Sequence, residues 1–169
     1  MEPAPHAKLA DRFRADPALA RVQVAVSTAL EEGMACGTTT RGHETLADEP
    51  RSLGGTDTAQ SPVELLLTSL ATCQAVTYRL WAAELGVALT RVSVDVEGDL
   101  DLRGFLGLDD VPAGYTSIRM AVRLEGPEDP ARYRDLAAAV DRHCPVTDVL
   151  ARPVVIERDV ILGPPAEIR

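Results

Sequence analysis

No stretch of this sequence approaches the ~20 consecutive apolar residues needed to cross a bilayer. The opening segment, MEPAPHAKLADRFRADPALA, also lacks the unbroken apolar run of a secretory leader. A soluble, cytoplasmic protein is expected. Cysteine is scarce: three in 169 residues, Cys36, Cys73 and Cys144, too few and too scattered for a disulfide framework. The thiols should be reduced, and any disulfide among them should be a working one. Basic residues are outnumbered, 17 Lys and Arg against 26 Asp and Glu, and the formal charge of −9 argues against nucleic acid or an anionic membrane as partner. CxxC and HxxxH spacings are missing, so His43, His143 and Cys144 read as ordinary side chains, and neither a metal nor another cofactor is expected. The Gly54-Gly55-Thr56 turn lacks the Lys-Ser/Thr of a phosphate loop and reads as a loop closure.

What the sequence does contain is organised around SPVELLLTSLATCQAVTYRLWAAEL, Ser61 to Leu85. Ser61 as N-cap, Pro62 at the first helical position and Glu64 three residues after the serine specify a helix start, and Gly86 is a plausible stop. A helix of about 24 residues, roughly 36 Å long, is predicted. Leu66, Leu70, Cys73, Thr77 and Leu80 recur at three- and four-residue steps, which puts the Cys73 thiol on the apolar stripe. Around this helix, residues 1–20 read as a short helix or loose arm, and 21–169 as one α+β domain. Strands are predicted at 21–30, 34–48, 90–102, 115–124 and 153–160, with turns at Glu31-Glu32-Gly33 and over 104–112 and a loop at 49–60. Asp129 and Pro130 open a second helix, and Cys144 N-caps a short helical turn. Hairpins without regular βαβ alternation give a mostly antiparallel sheet. They cover only part of the long helix, so a second subunit is expected to complete the core.

Cys73 and Cys144, 71 positions apart, lie on elements that would pack together, and a thiol pair of this kind suits a peroxide-reducing cycle. Burial should make Cys73 less acidic, and being three turns into its helix places it out of reach of the N-terminal dipole. It therefore needs a cation from elsewhere. Arg41 and Arg51 are the candidates, with Arg41 preferred because it is placed on a strand. Cys144 follows Arg142 and His143 at a helix entrance, which favours its thiolate. Cys36 reads as structural, Trp81 as packing against the sheet or a partner, and Arg119 and Arg123 as a solvated strand face. From another class, a non-enzymatic dimer could hold a small lipophilic ligand in the cleft beside Cys73.

The run SPVELLLTSLATCQAVTYRLWAAELG, preceded by DEPRSLGGTDT and followed by DRHCPVTDVL, resembles the OsmC/Ohr family of thiol-dependent hydroperoxide reductases over roughly Met34 to Ile156. The resemblance implies an intertwined homodimer with a long central helix in each subunit and two active sites at the interface. It implies that Cys73 is the peroxidatic cysteine and Cys144 the resolving one. Organic or fatty-acid hydroperoxides would be the substrates, and a dithiol such as dihydrolipoamide the reductant. The sequence departs from the better-characterised branches at two points. The acid expected ten residues before the first cysteine is Val63, with Glu64 beside it holding a competing capping role, and the arginine of the first hairpin turn is replaced by Glu31-Glu32-Gly33. The sequence is similar to a less characterised branch that keeps both cysteines.

Overall fold

A computed structural model of the protein describes residues 6–30 and 32–163. The long helix, α2, spans Pro62–Glu84 and begins as its sequence dictates: the Ser61 side chain accepts from the Glu64 N–H, and the Glu64 carboxylate accepts from the Ser61 N–H at 2.7 Å. It ends at Gly86, whose φ of 60° needs no Cβ, and the Arg132 guanidinium closes the end by donating to the Leu85 and Gly86 carbonyls at 3.1 Å each. The buried face is Leu70, Gln74, Thr77, Tyr78 and Ala82. The expected stripe is therefore rotated: Leu66 and Leu80 face outward, and Gln74 lies inside.

Strands β4 (Arg91–Leu100) and β5 (Tyr115–Glu125) form an antiparallel pair from Arg91↔Glu125 to Leu100↔Tyr115, with β4 packed on α2. The solvated side of the pair carries the cross-strand ion pairs Arg123–Asp95 and Arg119–Asp99. Between these strands, where a turn was expected, a short helix, α3 (Leu102–Phe105), forms after the Asp101 cap. Helix α4 (Pro130–His143) starts at Asp129, whose carboxylate accepts from the Ala131 N–H at 2.7 Å, and buries Leu136, Ala139 and Val140. The short helix α5 (Pro145–Ala151) follows at once, with Cys144 serving both as the end of α4 and as the N-cap of α5. The core sits where these elements meet: Tyr78, Ala82, Val87, Leu89, Leu136 and Val140, flanked by Trp81, Val92, Val122 and Leu124.

A second sheet, β1 (Ser27–Leu30), β2 (Cys36–Thr40) and β3 (His43–Ala47), is an antiparallel meander that makes no comparable contact with any helix. Here the sequence reading needs correction. The stretch 34–48 is not one strand, because Arg41 (φ 49°) and Gly42 (φ 82°) turn the chain back between β2 and β3. Arg41 therefore sits in a turn rather than on a strand. Only the last four residues of the expected strand over 21–30 pair, leaving Val22, Val24 and Val26 exposed. The expected strand over 153–160 is extended but belongs to no sheet, and Val155 and Ile156 are 86% and 89% exposed. A strand pattern states which face wants burial, and among the described residues nothing covers that face. The N-terminal segment forms α1, Ala7–Ala15, and Glu31 of the expected first turn lies outside the described residues.

The loop that delivers the chain to α2 is held by one buried carboxylate. Asp48 accepts from the Thr56 hydroxyl (2.6 Å) and N–H (3.0 Å), the Thr58 hydroxyl (3.0 Å) and N–H (3.2 Å), and the Glu49 N–H (2.8 Å). Gly55 passes so close that a Cβ there would lie 1.8 Å from the Glu49 carbonyl oxygen. The Thr56 hydroxyl, partly opposed by burial and helped by Thr58 and Glu49, holds the Asp48 carboxyl far below the usual carboxylate range. A depressed folded pKa contributes stability that is fully present at neutral pH and lost as pH falls through and below that range. Asp48→Asn should therefore lower the thermal midpoint at pH 7, and the gap to the parent protein should close on acidification. A constant gap, read by circular dichroism melts across that pH range, would show that the carboxylate's charge plays no part.

Candidate functional site

Helices α2, α4 and α5 bring two of the four expected site residues together. Cys73, near the middle of α2, and Cys144, at the α4–α5 junction, place their sulfurs 3.5 Å apart, both as free thiols. About 1.5 Å of movement separates that contact from a bond of ~2.05 Å. The junction is fixed by Pro145, which blocks continuation of α4, and by His143, whose ring stacks on Trp81 with centroids 4.2 Å apart and planes 16° off parallel. Trp81 thus packs against the end of α4 and flanks the core.

The two thiols differ in access and acidity. Cys144 is 1% exposed, whereas Cys73 is only partly buried and is the one a small molecule can reach. Burial pushes the Cys73 thiol up, and its neighbour Cys144 adds to this, outweighing help from the Val146 N–H and Thr77. Burial also pushes Cys144 up, but the Thr147 hydroxyl and N–H, Cys73 and the Val146 N–H all hydrogen-bond its sulfur, and its acidity ends up raised above that of an ordinary cysteine.

The other two expected residues lie elsewhere. Glu64 is nine residues from Cys73, about 13 Å along the helix axis, with its Oε2 occupied by the Ser61 N–H and hydroxyl. Arg41 is exposed in the β2–β3 turn, and Arg51 is exposed at the start of a single 3₁₀ turn, Arg51–Leu53. Among the described residues, neither arginine hydrogen-bonds or shifts either thiol. Cys36 lies on β2, away from the pair, and no cluster of His, Cys, Asp and Glu suited to a metal ion exists among the described residues.

Three residues of the site were not singled out from sequence. Gln74 is completely buried, donates from Nε2 to the Thr147 hydroxyl at 2.7 Å, and has no partner for its Oε1 among the described residues. An orphaned buried acceptor costs about 1–3 kcal/mol. Its spacing from Leu70 and Tyr78, four residues either way, was the available signal. Tyr115 is the third: its ring lies where a Cβ on Gly98 would be, and its hydroxyl donates to the Val63 carbonyl at 2.9 Å. Burial and the Glu64 carboxylate both push that phenol up. A cleft of about 410 Å³ lies between α2, β5 and α5; its lining includes Leu70, Tyr115, Ser117, Ile118, Thr147 and Leu150, and neither cysteine is part of it.

The sequence pattern that defines the OsmC-like proteins matches residues 55–158, which include both cysteines of the pair. This chain belongs to the OsmC-like family. No curated protein matches it. The OsmC-like fold is shared with the crystal structure of an OsmC-like protein from Mycoplasma pneumoniae, with a TM-score of 0.67 and 18% identity over 77% of this chain and 88% of that one. An organic hydroperoxide resistance protein OsmC from Legionella pneumophila superposes at a TM-score of 0.59 and 20% identity, covering 76% of this chain and 89% of that one. An OsmC-like protein of unknown function from Vibrio cholerae does so at 0.59 and 11%, covering 76% and 93%. At these identities the likeness is one of fold.

Proposed function

We propose that this OsmC-like protein is a thiol peroxidase for organic and fatty-acid hydroperoxides, with Cys73 attacking and Cys144 resolving, in cytoplasmic defence against oxidative stress. The observation that carries the reading is the 3.5 Å contact between two free thiols 71 residues apart, Cys73 partly exposed and Cys144 buried. The cycle balances with these two groups. The Cys144 thiolate takes the Cys73 proton as the Cys73 sulfur attacks the outer oxygen of the hydroperoxide. The O–O bond breaks, Cys73 becomes a sulfenic acid, and the alkoxide recovers the proton from Cys144 to leave as alcohol. The regenerated Cys144 thiolate then attacks the Cys73 sulfenic sulfur, displacing hydroxide, which leaves as water with a proton from solvent. A dithiol such as dihydrolipoamide reduces the disulfide. The cleft between α2, β5 and α5, with Leu70, Ile118, Met120 and Leu150 in its wall, would take the alkyl chain.

The working unit in this reading is a homodimer. The chain exposes 13124 Å², against about 8,000 Å² for a compact monomer of its mass, and the β1–β3 sheet lies apart from the helices. A second copy covering that surface would also bring an arginine to Cys73. Arg41, at the tip of the β2–β3 turn, is the one assigned here. Glu64, whose Oε1 makes no hydrogen bond among the described residues, would orient it.

Titration of the reduced protein with cumene hydroperoxide tests the function. Two thiols per chain should disappear, the intact mass should fall by two hydrogens, and a Cys73–Cys144 peptide pair should appear on digestion. Unchanged thiols would overturn the peroxidase and favour a binding protein that holds a lipophilic ligand in the same cleft.

A further inference from the structure

We propose that Gln74 and Thr147 are positioning residues: their hydrogen bond holds the start of α5 against α2 and keeps the Cys144 sulfur within bonding reach of Cys73. The inference rests on the reading of the two cysteines as a working dithiol, and it concerns residues outside that pair.

The geometry is a two-point attachment. Cys73 and Gln74 are neighbours on α2, while Cys144 and Thr147 lie within one turn of each other at the entrance of α5. The Cys144 Sγ donates to the Cys73 Sγ at 3.5 Å, and beside that contact the Gln74 Nε2 donates to the Thr147 hydroxyl at 2.7 Å. On the other side of Cys144, His143 stacks on Trp81, which lies about two turns beyond Cys73 on the same helix. The cysteine that caps α5 is thus bracketed by two side-chain contacts to the helix that carries its partner.

Burial makes the Gln74 contact hard to exchange. The side chain has no exposed surface, so water cannot replace the Thr147 hydroxyl, and loss of that hydroxyl would leave Nε2 unpaired as well as Oε1. An apolar side chain would fill the same place without an orphaned acceptor; what the amide adds is the tie to α5. Closing the sulfurs from 3.5 Å to a bond of ~2.05 Å is a movement small enough to leave the tie in place. A disulfide would restrain α5 by itself. Loss of the hydrogen bond therefore frees the dithiol form more than the disulfide form, which lowers the effective concentration of one thiol at the other.

The test is the equilibrium between dithiol and disulfide in the full chain at pH 7, in a Cys36→Ala background so that only the pair exchanges. Alkylation and intact mass read it across mixtures of reduced and oxidised dithiothreitol. The exchange balances: the two protein thiols give up two hydrogens as their S–S bond forms, and the cyclic dithiothreitol disulfide takes them up as it opens. Thr147→Val and Gln74→Met should each shift the equilibrium toward the dithiol by about fivefold, the net effect of one hydrogen bond. For a two-electron couple that is about 20 mV. The double variant should shift no further than either single one, because both remove the same bond. Thr147→Ser should match the parent. Equilibria that match the parent in both single variants overturn the proposal, and a lowered thermal midpoint beside them marks a tie that serves the fold alone. Shifts that add in the double variant overturn it too. Should Thr147→Val fail to fold by circular dichroism, Gln74→Met decides: a shifted equilibrium supports the proposal and an unmoved one overturns it. No hydroperoxide is present, so the outcomes separate. Shifted equilibria in a protein that reduces no hydroperoxide retain the positioning pair and discard the peroxidase, and unmoved equilibria in an active enzyme do the reverse.

Discussion

Cys73→Ser is expected to reduce hydroperoxide turnover to the uncatalysed background, whereas Cys144→Ser should complete one turnover per chain and stop with one added oxygen on Cys73. The asymmetry follows from access and bonding. Cys144 is 1% exposed and Cys73 is the sulfur a hydroperoxide can approach, so removing Cys73 removes the atom that attacks the O–O bond. A serine hydroxyl cannot replace it, being neither ionised near neutrality nor comparably nucleophilic. In the proposed cycle, removing Cys144 deletes both the group that takes the Cys73 proton and the thiol that condenses with the sulfenic acid. The single turnover should therefore also be slower than the parent's first turnover, and excess hydroperoxide should carry Cys73 on to the sulfinic acid. Stopped-flow consumption of cumene hydroperoxide with intact mass at each time point reads all of this. The opposite pattern, with Cys144→Ser inert and Cys73→Ser giving one turnover, would reverse the two roles.

The long helix and both cysteine positions were legible because the signals are local. Ser61, Pro62 and Glu64 state a helix start within four residues, and Asp129-Pro130 and Cys144-Pro145 repeat the device. The meeting of Cys73 with Cys144 is a long-range fact, inferred from the elements that carry them and found at 3.5 Å. Gln74 was missed because its polarity hid its position: the apolar stripe was drawn through Cys73, yet Leu70, Gln74, Thr77 and Tyr78 form the face that is buried. Thr147 was missed for the same reason, since its significance depends on a partner 73 residues away. Arg41 was misplaced because threonine-rich β propensity on both sides of it concealed a two-residue turn, which only the positive φ at Arg41 and Gly42 reveals. The strand patterns at 21–26 and 153–160 pointed to real burial preferences, but among the described residues no strand pairs with them.

Replacing Ile156 and Ile161 together by Asp should dissociate and unfold the protein, although the two side chains are 89% and 92% exposed within one chain. Substitutions at such exposed positions ordinarily change stability by no more than about 0.5 kcal/mol, so the two possible states of this segment give very different outcomes. If the tail lies in solvent, the double variant melts with the parent. If it is sealed against a second copy, each isoleucine contributes roughly 1.5–3 kcal/mol of burial, and a carboxylate forced into the seam adds the cost of a desolvated, unpaired charge. The chain's own arrangement favours the second outcome: Val155, Ile156, Ile161 and Leu162 are all at least 86% exposed and form two apolar pairs around the charged Glu157-Arg158-Asp159. An exposed patch of that kind marks an interaction surface. Sedimentation of the parent at twice 18.1 kDa, with a thermal midpoint that rises with concentration, should accompany collapse of the variant. A parent sedimenting at 18.1 kDa, and a variant that melts with it, would overturn the homodimer and with it the delivery of Arg41 from a second copy.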